Sequence, residues 1–149
     1  MADTYVKKIL AAIVALVDAD GKPAGVKVSA SRKRATGSGA GLKHIAVFPV
    51  HDEPSPSSEP RNRAFPATKR LLTVALECRC AGTDLDNEVL RAWAYGQVMK
   101  DFSLGGLALN LTEGNTEWHG DLDSNADYSE APMEVVVEYV RPRSTLESA

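Results

Sequence analysis

The chain has 149 residues, 44% of them hydrophobic and 25% charged, with a net charge of −3. A chain of this length suits a single domain, 1–149, that buries about 70% of the surface its unfolded form exposes and needs neither metal nor disulfide to fold. The composition is that of an ordinary globular protein, and the apolar run Ile9 to Val17 is too short to span a membrane.

Lys7 and Lys8 ahead of that run imitate a signal peptide, but Asp3 sits in the supposed leader and no Ala-x-Ala-like cleavage site follows at Asp18-Ala19-Asp20. Tyr5 to Val17 reads instead as a first helix, capped by Asp3 or Thr4 and apolar because it packs against a sheet. Turn formers from Asp18 to Pro23 end it. Val26 and Val28 then alternate with Lys27 and Ser29 in a strand. Ile45 and Val47 belong to its partner, which makes a hairpin whose tip is the polar, glycine-rich loop Ser31 to Gly41. From His51 to Pro66 proline and serine dominate and Phe65 is almost the only apolar residue, the composition of a mobile loop or of a segment ordered by a partner.

The centre of the chain, Leu71 to Leu111, reads as strand, helix and strand. Leu72, Val74, Leu76, Cys78 and Cys80 alternate with Thr73, Ala75, Glu77 and Arg79, the period of a half-buried strand. Thr83 and Asp84 offer caps for a helix, and Asp86 and Glu88 place negative charge near its positive end. Leu85, Val89, Ala92, Trp93, Gly96, Met99 and Phe102 recur at three- and four-residue steps and are assigned to the side facing the sheet, with Gly96 allowing close approach. Gly105-Gly106 stops the helix, and Leu107, Leu109 and Leu111 open the next strand. An acidic loop over 113–130 carries Trp118 and Tyr128, the strand Met133 to Arg141 follows, and the tail after Pro142 frays.

The expected fold is therefore α+β, with order α-β-β-β-α-β-β. It is a single mainly antiparallel sheet of about four or five strands with two helices packed on one face and mobile loops near 31–41, 51–66 and 113–130.

Charge is distributed unevenly. Gly21 to His51 contains Lys22, Lys27, Arg32, Lys33, Arg34 and Lys43 and no acidic residue, whereas Asp101 to Glu138 contains nine acidic residues and no Lys or Arg. The bland interpretation is solvated loops. The sharper one is a pair of complementary surfaces on neighbouring subunits: Arg32, Lys33, Arg34 and Lys43 on one, Asp121, Asp123, Asp127 and Glu130 on the other.

Signs of chemistry are weak. Asp121-x-Asp123-x-Asn125-x-Asp127 imitates a calcium loop, but Ala126 stands where the turn needs glycine and Pro132 where a bidentate glutamate belongs. Cys78-x-Cys80 with His44, His51 or His119 is a poor zinc pattern, and two cysteines on the apolar face of a strand read as core. They lie too far apart along an extended strand for easy bridging, which fits a reducing compartment. Gly37, Gly39 and Gly41 lack the Walker spacing, and no G-x-S-x-G or H-E-x-x-H occurs. No enzyme, cofactor or metal is expected.

The order of elements, the phrase Leu104-Gly105-Gly106-Leu107-Ala108-Leu109, the pair Glu117-Trp118 and the closing strand Met133 to Arg141 together resemble the tail-terminator proteins of long-tailed bacteriophages. The likeness is clearest over residues 70–141. It implies a small structural protein that forms a ring, a hexamer in that family, on the head-proximal end of a tail tube. Such a ring stops tube polymerisation and presents a joining surface to the head-tail connector. It implies as partners the chain itself, the tube protein and the connector, with no membrane. Its place would be the host cytoplasm during assembly and then the virion tail. The basic tip then either meets the acidic region of the next subunit or lines the lumen and touches passing DNA without reading its sequence. The rival expectation is a small nucleic-acid-binding α+β module that uses the basic hairpin 31–43, though the negative net charge and the lack of aromatics on any one strand weigh against it. A small hydrolase or metal enzyme around Asp121, Asp123 and His119 is a third.

Overall fold

The computed structural model describes residues 3–30, 43–56, 67–120, 129–142 and 144–147. The elements are α1 (Tyr5–Val17), β1 (Lys27–Ser29), β2 (Lys43–Pro54), β3 (Ala67–Cys80), α2 (Asp84–Val98), β4 (Asn110–Thr116), β5 (His119–Gly120) and β6 (Ser129–Pro142). The fold is α+β, as expected, with α1 and α2 against a sheet ordered β1-β2-β3-β6-β4, and with the short β5 also paired to β6. The pairs β2–β3, β3–β6, β4–β6 and β5–β6 are antiparallel.

Two departures concern the sheet. β1 runs parallel to β2, with Val28 opposite Ile45, so the expected hairpin is a crossover and the sheet is mixed. Parallel neighbours need a connection of about a dozen residues or more, and the segment 30–42 meets that requirement where a tight hairpin needs far less. The extra strand β5 also lengthens the expected order to α-β-β-β-α-β-β-β. The loop expected over 51–66 begins later, because β2 continues through His51–Pro54 after a register shift between Pro49 and His51. Similarly, β4 and β5 occupy the first part of the loop expected over 113–130. Residues 31–42, 57–66 and 121–128 lie outside the described residues.

The core lies between the helices and one face of the sheet. Ile9, Ile13 and Val17 of α1 and Leu90, Ala94 and Val98 of α2 meet Ile45 and Val47 of β2, Leu72, Val74, Leu76 and Cys78 of β3, and Met133, Val135, Val137 and Tyr139 of β6. The alternation anticipated on β3 and β6 sets this face, since directly opposed residues of antiparallel strands share a side. Thr4 caps α1 by accepting from the Lys7 amide at 3.1 Å. Thr83 and Asp86 form a reciprocal capping box at the start of α2.

The rotation of α2 differs from expectation. Leu90, Ala94, Val98, Asn87 and Gln97 are buried, whereas Leu85, Val89, Ala92 and Gly96 are exposed. Trp93 and Met99 pack at the flank of the core as anticipated, but Gly96 approaches nothing: a Cβ there would meet no atom within 4 Å. The expectation failed because Asn87 and Gln97 look like outward residues. Asn87 Nδ2 donates to the Cys78 carbonyl at 2.9 Å and to Ser129 Oγ at 3.2 Å, and Gln97 Nε2 donates to the Leu16 carbonyl at 2.8 Å. Hydrogen bonds of this kind let polar side chains occupy a core position.

After α2 the chain turns through Leu104, Gly105 and Gly106, all at positive φ. Asp101 holds the turn by accepting from the Ser103 and Gly105 amides, and burial of the Leu104 side chain anchors a residue in a conformation that L side chains rarely adopt. The expected strand therefore starts late. Leu107 lies in the turn, Leu109 is exposed, and β4 opens at Asn110. The tail does not simply fray after Pro142, since the Tyr5 amide donates to the Leu146 carbonyl at 3.0 Å and Thr4 bridges to Glu147.

Candidate interaction surfaces

Most of the expected site residues, Arg32, Lys33, Arg34, Asp121, Asp123 and Asp127, lie outside the described residues. Lys43 opens β2 and is exposed, with Nζ 3.4 Å from the Ala24 carbonyl oxygen. Glu130 lies on β6 opposite Arg79, 3.6 Å from its guanidinium. The two are not brought together. Lys43 is in register with Cys80 and Glu130 with Arg79, neighbouring rows whose side chains point to opposite faces of the sheet.

The face of the sheet turned away from the helices carries a polar cluster that no motif announced. His44, Arg79 and Glu130 lie in one row across β2, β3 and β6, and Glu77 is two residues along β3 on the same side. Arg79 pairs with both Glu77 and Glu130. Burial raises the Glu77 pKa above the usual carboxylate value, and hydrogen bonding and repulsion from Glu130 add to the effect against the pull of Arg79. His44 Nε2 lies 2.9 Å from Ser29 Oγ, while its Nδ1 is buried and finds no partner. Burial, then the positive charges of Arg79 and Lys27, hold this imidazole below its ordinary pKa and so neutral. A serine beside a neutral histidine is only part of a nucleophilic site, and among the described residues no third group orients the ring from Nδ1. The arrangement reads as a row of polar side chains on the sheet, in which His44 Nδ1 and Arg79 Nε are buried without a hydrogen-bond partner among the described residues.

On the helix side, Asp52, Arg70 and Tyr139 form a second network. Arg70 Nε donates to Asp52 Oδ1 at 3.1 Å and Tyr139 Oη to Asp52 Oδ2 at 2.7 Å, with Tyr5 of α1 stacked on the Tyr139 ring at 6.2 Å. Burial and the Asp52 carboxylate push the Tyr139 hydroxyl up to about 12. The alternation signal placed Tyr139 on the core face, but nothing local paired it with a residue 87 positions away. Cys78 and Cys80 are buried and form no disulfide, and burial pushes the Cys78 thiol up to about 12, which keeps it protonated and unreactive at neutral pH. Among the described residues, no group of three His, Cys, Asp or Glu could hold a metal ion.

The most conspicuous surface feature is apolar. Among the described residues, the exposed large apolar side chains concentrate on α2, its exit turn and β4–β5: Leu85, Val89, Tyr95, Phe102, Leu109 and Trp118, with Val50 and Leu146 elsewhere. Leu85 is 83% exposed and Val89 58%. Beside this stripe Arg91 is matched inside the chain, 2.8 Å from Glu88, 3.4 Å from Glu113 and 5.3 Å over the Trp118 ring. The strand order adds an electrostatic direction. β1 and the first half of β2, from the segment without acidic residues, occupy one edge; β4, β5 and β6, almost wholly from the segment without Lys or Arg, occupy the other.

No family model matches the chain, and no curated protein matches it. No helix among the described residues is long and apolar enough to cross a membrane.

Proposed function

We propose that the protein is a structural assembly protein whose copies join head to tail into a ring. Following its resemblance to tail terminators, the ring caps the head-proximal end of a phage tail tube, stops polymerisation and offers the connector its joining surface. The observation that carries this reading is that β1 and the first half of β2, from the segment without acidic residues, and β4, from the segment without Lys or Arg, stand at opposite ends of one sheet. A contact between two different patches on one molecule is heterologous, and it closes into a ring when the rotation permits. Complementary charge orients such a contact and speeds encounter. The partners in this reading are further copies of the chain, the tube protein and the connector, and the hexamer is the ring size that the resemblance suggests.

The test is electron microscopy of tails assembled without this protein. Tails of irregular or excessive length without heads are expected, and tails of normal, uniform length with heads attached exclude the terminator reading. The basic segment is tested separately with Arg32→Glu, Lys33→Glu and Arg34→Glu combined. This variant is expected to impair ring formation if the segment meets the neighbouring subunit, or DNA passage if it lines the lumen. Unchanged ring formation, DNA passage and infectivity would remove it from both roles. Salt-dependent DNA binding by the isolated monomer would favour a nucleic-acid-binding module instead.

A further inference from the structure

We infer that Glu77, Arg79 and Glu130 form a proton-operated clasp across β3 and β6: the two carboxyl groups share one proton, and its release as pH rises loosens the end of the sheet where β5 joins β6. The clasp does not depend on the ring reading above.

Glu77 and Arg79 lie two apart on β3, so both point to the face of the sheet away from the helices, and Glu130 stands directly opposite Arg79 on β6. Both acids reach the same nitrogen. Glu77 Oε1 and Glu130 Oε1 each pair with Arg79 Nη2, the second at 3.6 Å. An arginine holds a carboxylate best through a fork of two parallel bonds, yet Arg79 Nε is buried without a hydrogen-bond partner among the described residues. One cation is thus set against two acids through a single nitrogen. Glu77 is only 8% exposed, so water screens the repulsion poorly. Two carboxyls crowded in such a place do not both ionise readily, and one keeps a proton that it donates to the other.

The neighbouring strands do not relieve this. On β2, Ala46 faces Glu77, with His44 and Phe48 diagonal to it, and His44 is held neutral. On β1, Ser29 lies beyond Ala46, and Lys27 lies beyond His44 on the edge. On β6, Pro132 faces Glu77, and Glu134, the next residue on that side, adds negative charge. On β5, His119 is in register with Glu130. Burial first, then the hydrogen bond and repulsion from Glu130, hold the Glu77 proton above its ordinary range against the pull of Arg79. The pair titrates as a unit.

The sign separates a clasp from an ordinary ion pair. A proton held more tightly in the folded chain contributes stability that is fully present below the ordinary value of 4.5 and is lost as pH rises through the raised folded value. An ion pair that lowers the folded value does the reverse. Once both acids are ionised, the excess charge falls where β5 is attached. That strand has two residues and pairs with β6, so it is the element released at least cost.

The experiment is urea unfolding of the full chain across about pH 4 to pH 8. It compares wild type with Glu77→Gln, which imitates the protonated carboxyl, and with Glu134→Gln, a carboxyl on the same face outside the clasp. The wild-type midpoint is expected to fall relative to Glu77→Gln as pH rises, and to run parallel to Glu134→Gln. A wild-type midpoint that rises with pH relative to Glu77→Gln shows an ordinary ion pair and overturns the clasp. Should Glu77→Gln fail to fold, carbon-13 carboxyl titration of the wild type decides. One glutamate signal is expected to titrate above the ordinary range and to return toward it in Glu130→Gln, whereas glutamates that all titrate in that range overturn the clasp. Amide exchange at Gly120, Ser129 and Glu130, corrected for its intrinsic pH dependence, is expected to speed up more with pH than along the rest of β6. A uniform change overturns the release of this end.

Discussion

His44 sits in an open-face row between Lys27 and Arg79, and its environment favours the neutral ring. A folded-state pKa below the unfolded value means that the unfolded chain takes up a proton first as pH falls. The stabilising contribution is fully present above the ordinary histidine value of 6.5 and is lost as pH drops below it toward the lowered folded value. His44→Gln keeps a polar group near Ser29 and cannot titrate. Its melting temperature, compared with wild type between about pH 8 and pH 5, is expected to fall less steeply with acid. Parallel curves would show that this ring contributes nothing to the pH response. At the same scale, the pairings that sequence reasoning missed involve Asn87, Trp93 and Gln97. Trp93 Nε1 donates to the Val17 carbonyl at 2.8 Å and Gln97 to that of Leu16, so two side chains of α2 satisfy carbonyls at the end of α1. Helix ends leave such groups without intrahelical partners, but which distant side chain serves them is a fact of tertiary packing.

Helix α2 shows where element-scale reading succeeds and where it fails. Its existence and start were legible, because Thr83 and Asp86 form a capping box whose parts are local in sequence. Its rotation was not, because apolar residues lie on two sides and the buried side contains Asn87 and Gln97. Gly96 makes the difference measurable. It is exposed near the helix end with open space at its Cβ position, and Ala is favoured over Gly there by about 0.5 to 1 kcal/mol. Gly96→Ala is therefore expected to stabilise the monomer by that amount in urea unfolding. Destabilisation instead would mean that the residue is in close contact after all. The relation of β1 to β2 has a similar lesson. Alternation identifies Val28 and Ile45 as strand residues, yet it carries no direction, and only the connection length of 30–42 hinted at a parallel crossover.

At the scale of the whole molecule, strand order turns a charge pattern along the chain into one across space. The first basic segment and the later acidic segment could have ended side by side in the sheet, in which case they would have neutralised one another within a subunit. The order β1-β2-β3-β6-β4 separates them by the central strand. If subunits join through these edges, their association weakens as ions screen the contact, over a Debye length of about 10 Å at 0.1 M and about 3 Å at 1 M. Dilution series at the two ionic strengths are expected to show a higher dissociation midpoint in high salt. Association that strengthens with salt would make the interface chiefly apolar.

The sequence by itself determined the α+β class, both helices with Thr4 and Thr83 among their cap candidates, and the core faces of β3 and β6, because each of these depends on periodicity or on groups within a few residues of one another. Tertiary structure alone decided that β1 is parallel to β2, that Asn87 and Gln97 lie inward while Leu85 and Val89 lie outward, and that the described strands of the two charged segments stand toward opposite edges. Those outcomes depend on which groups meet across long separations, where hydrogen bonds to distant carbonyls outweigh what the polarity of a single residue suggests.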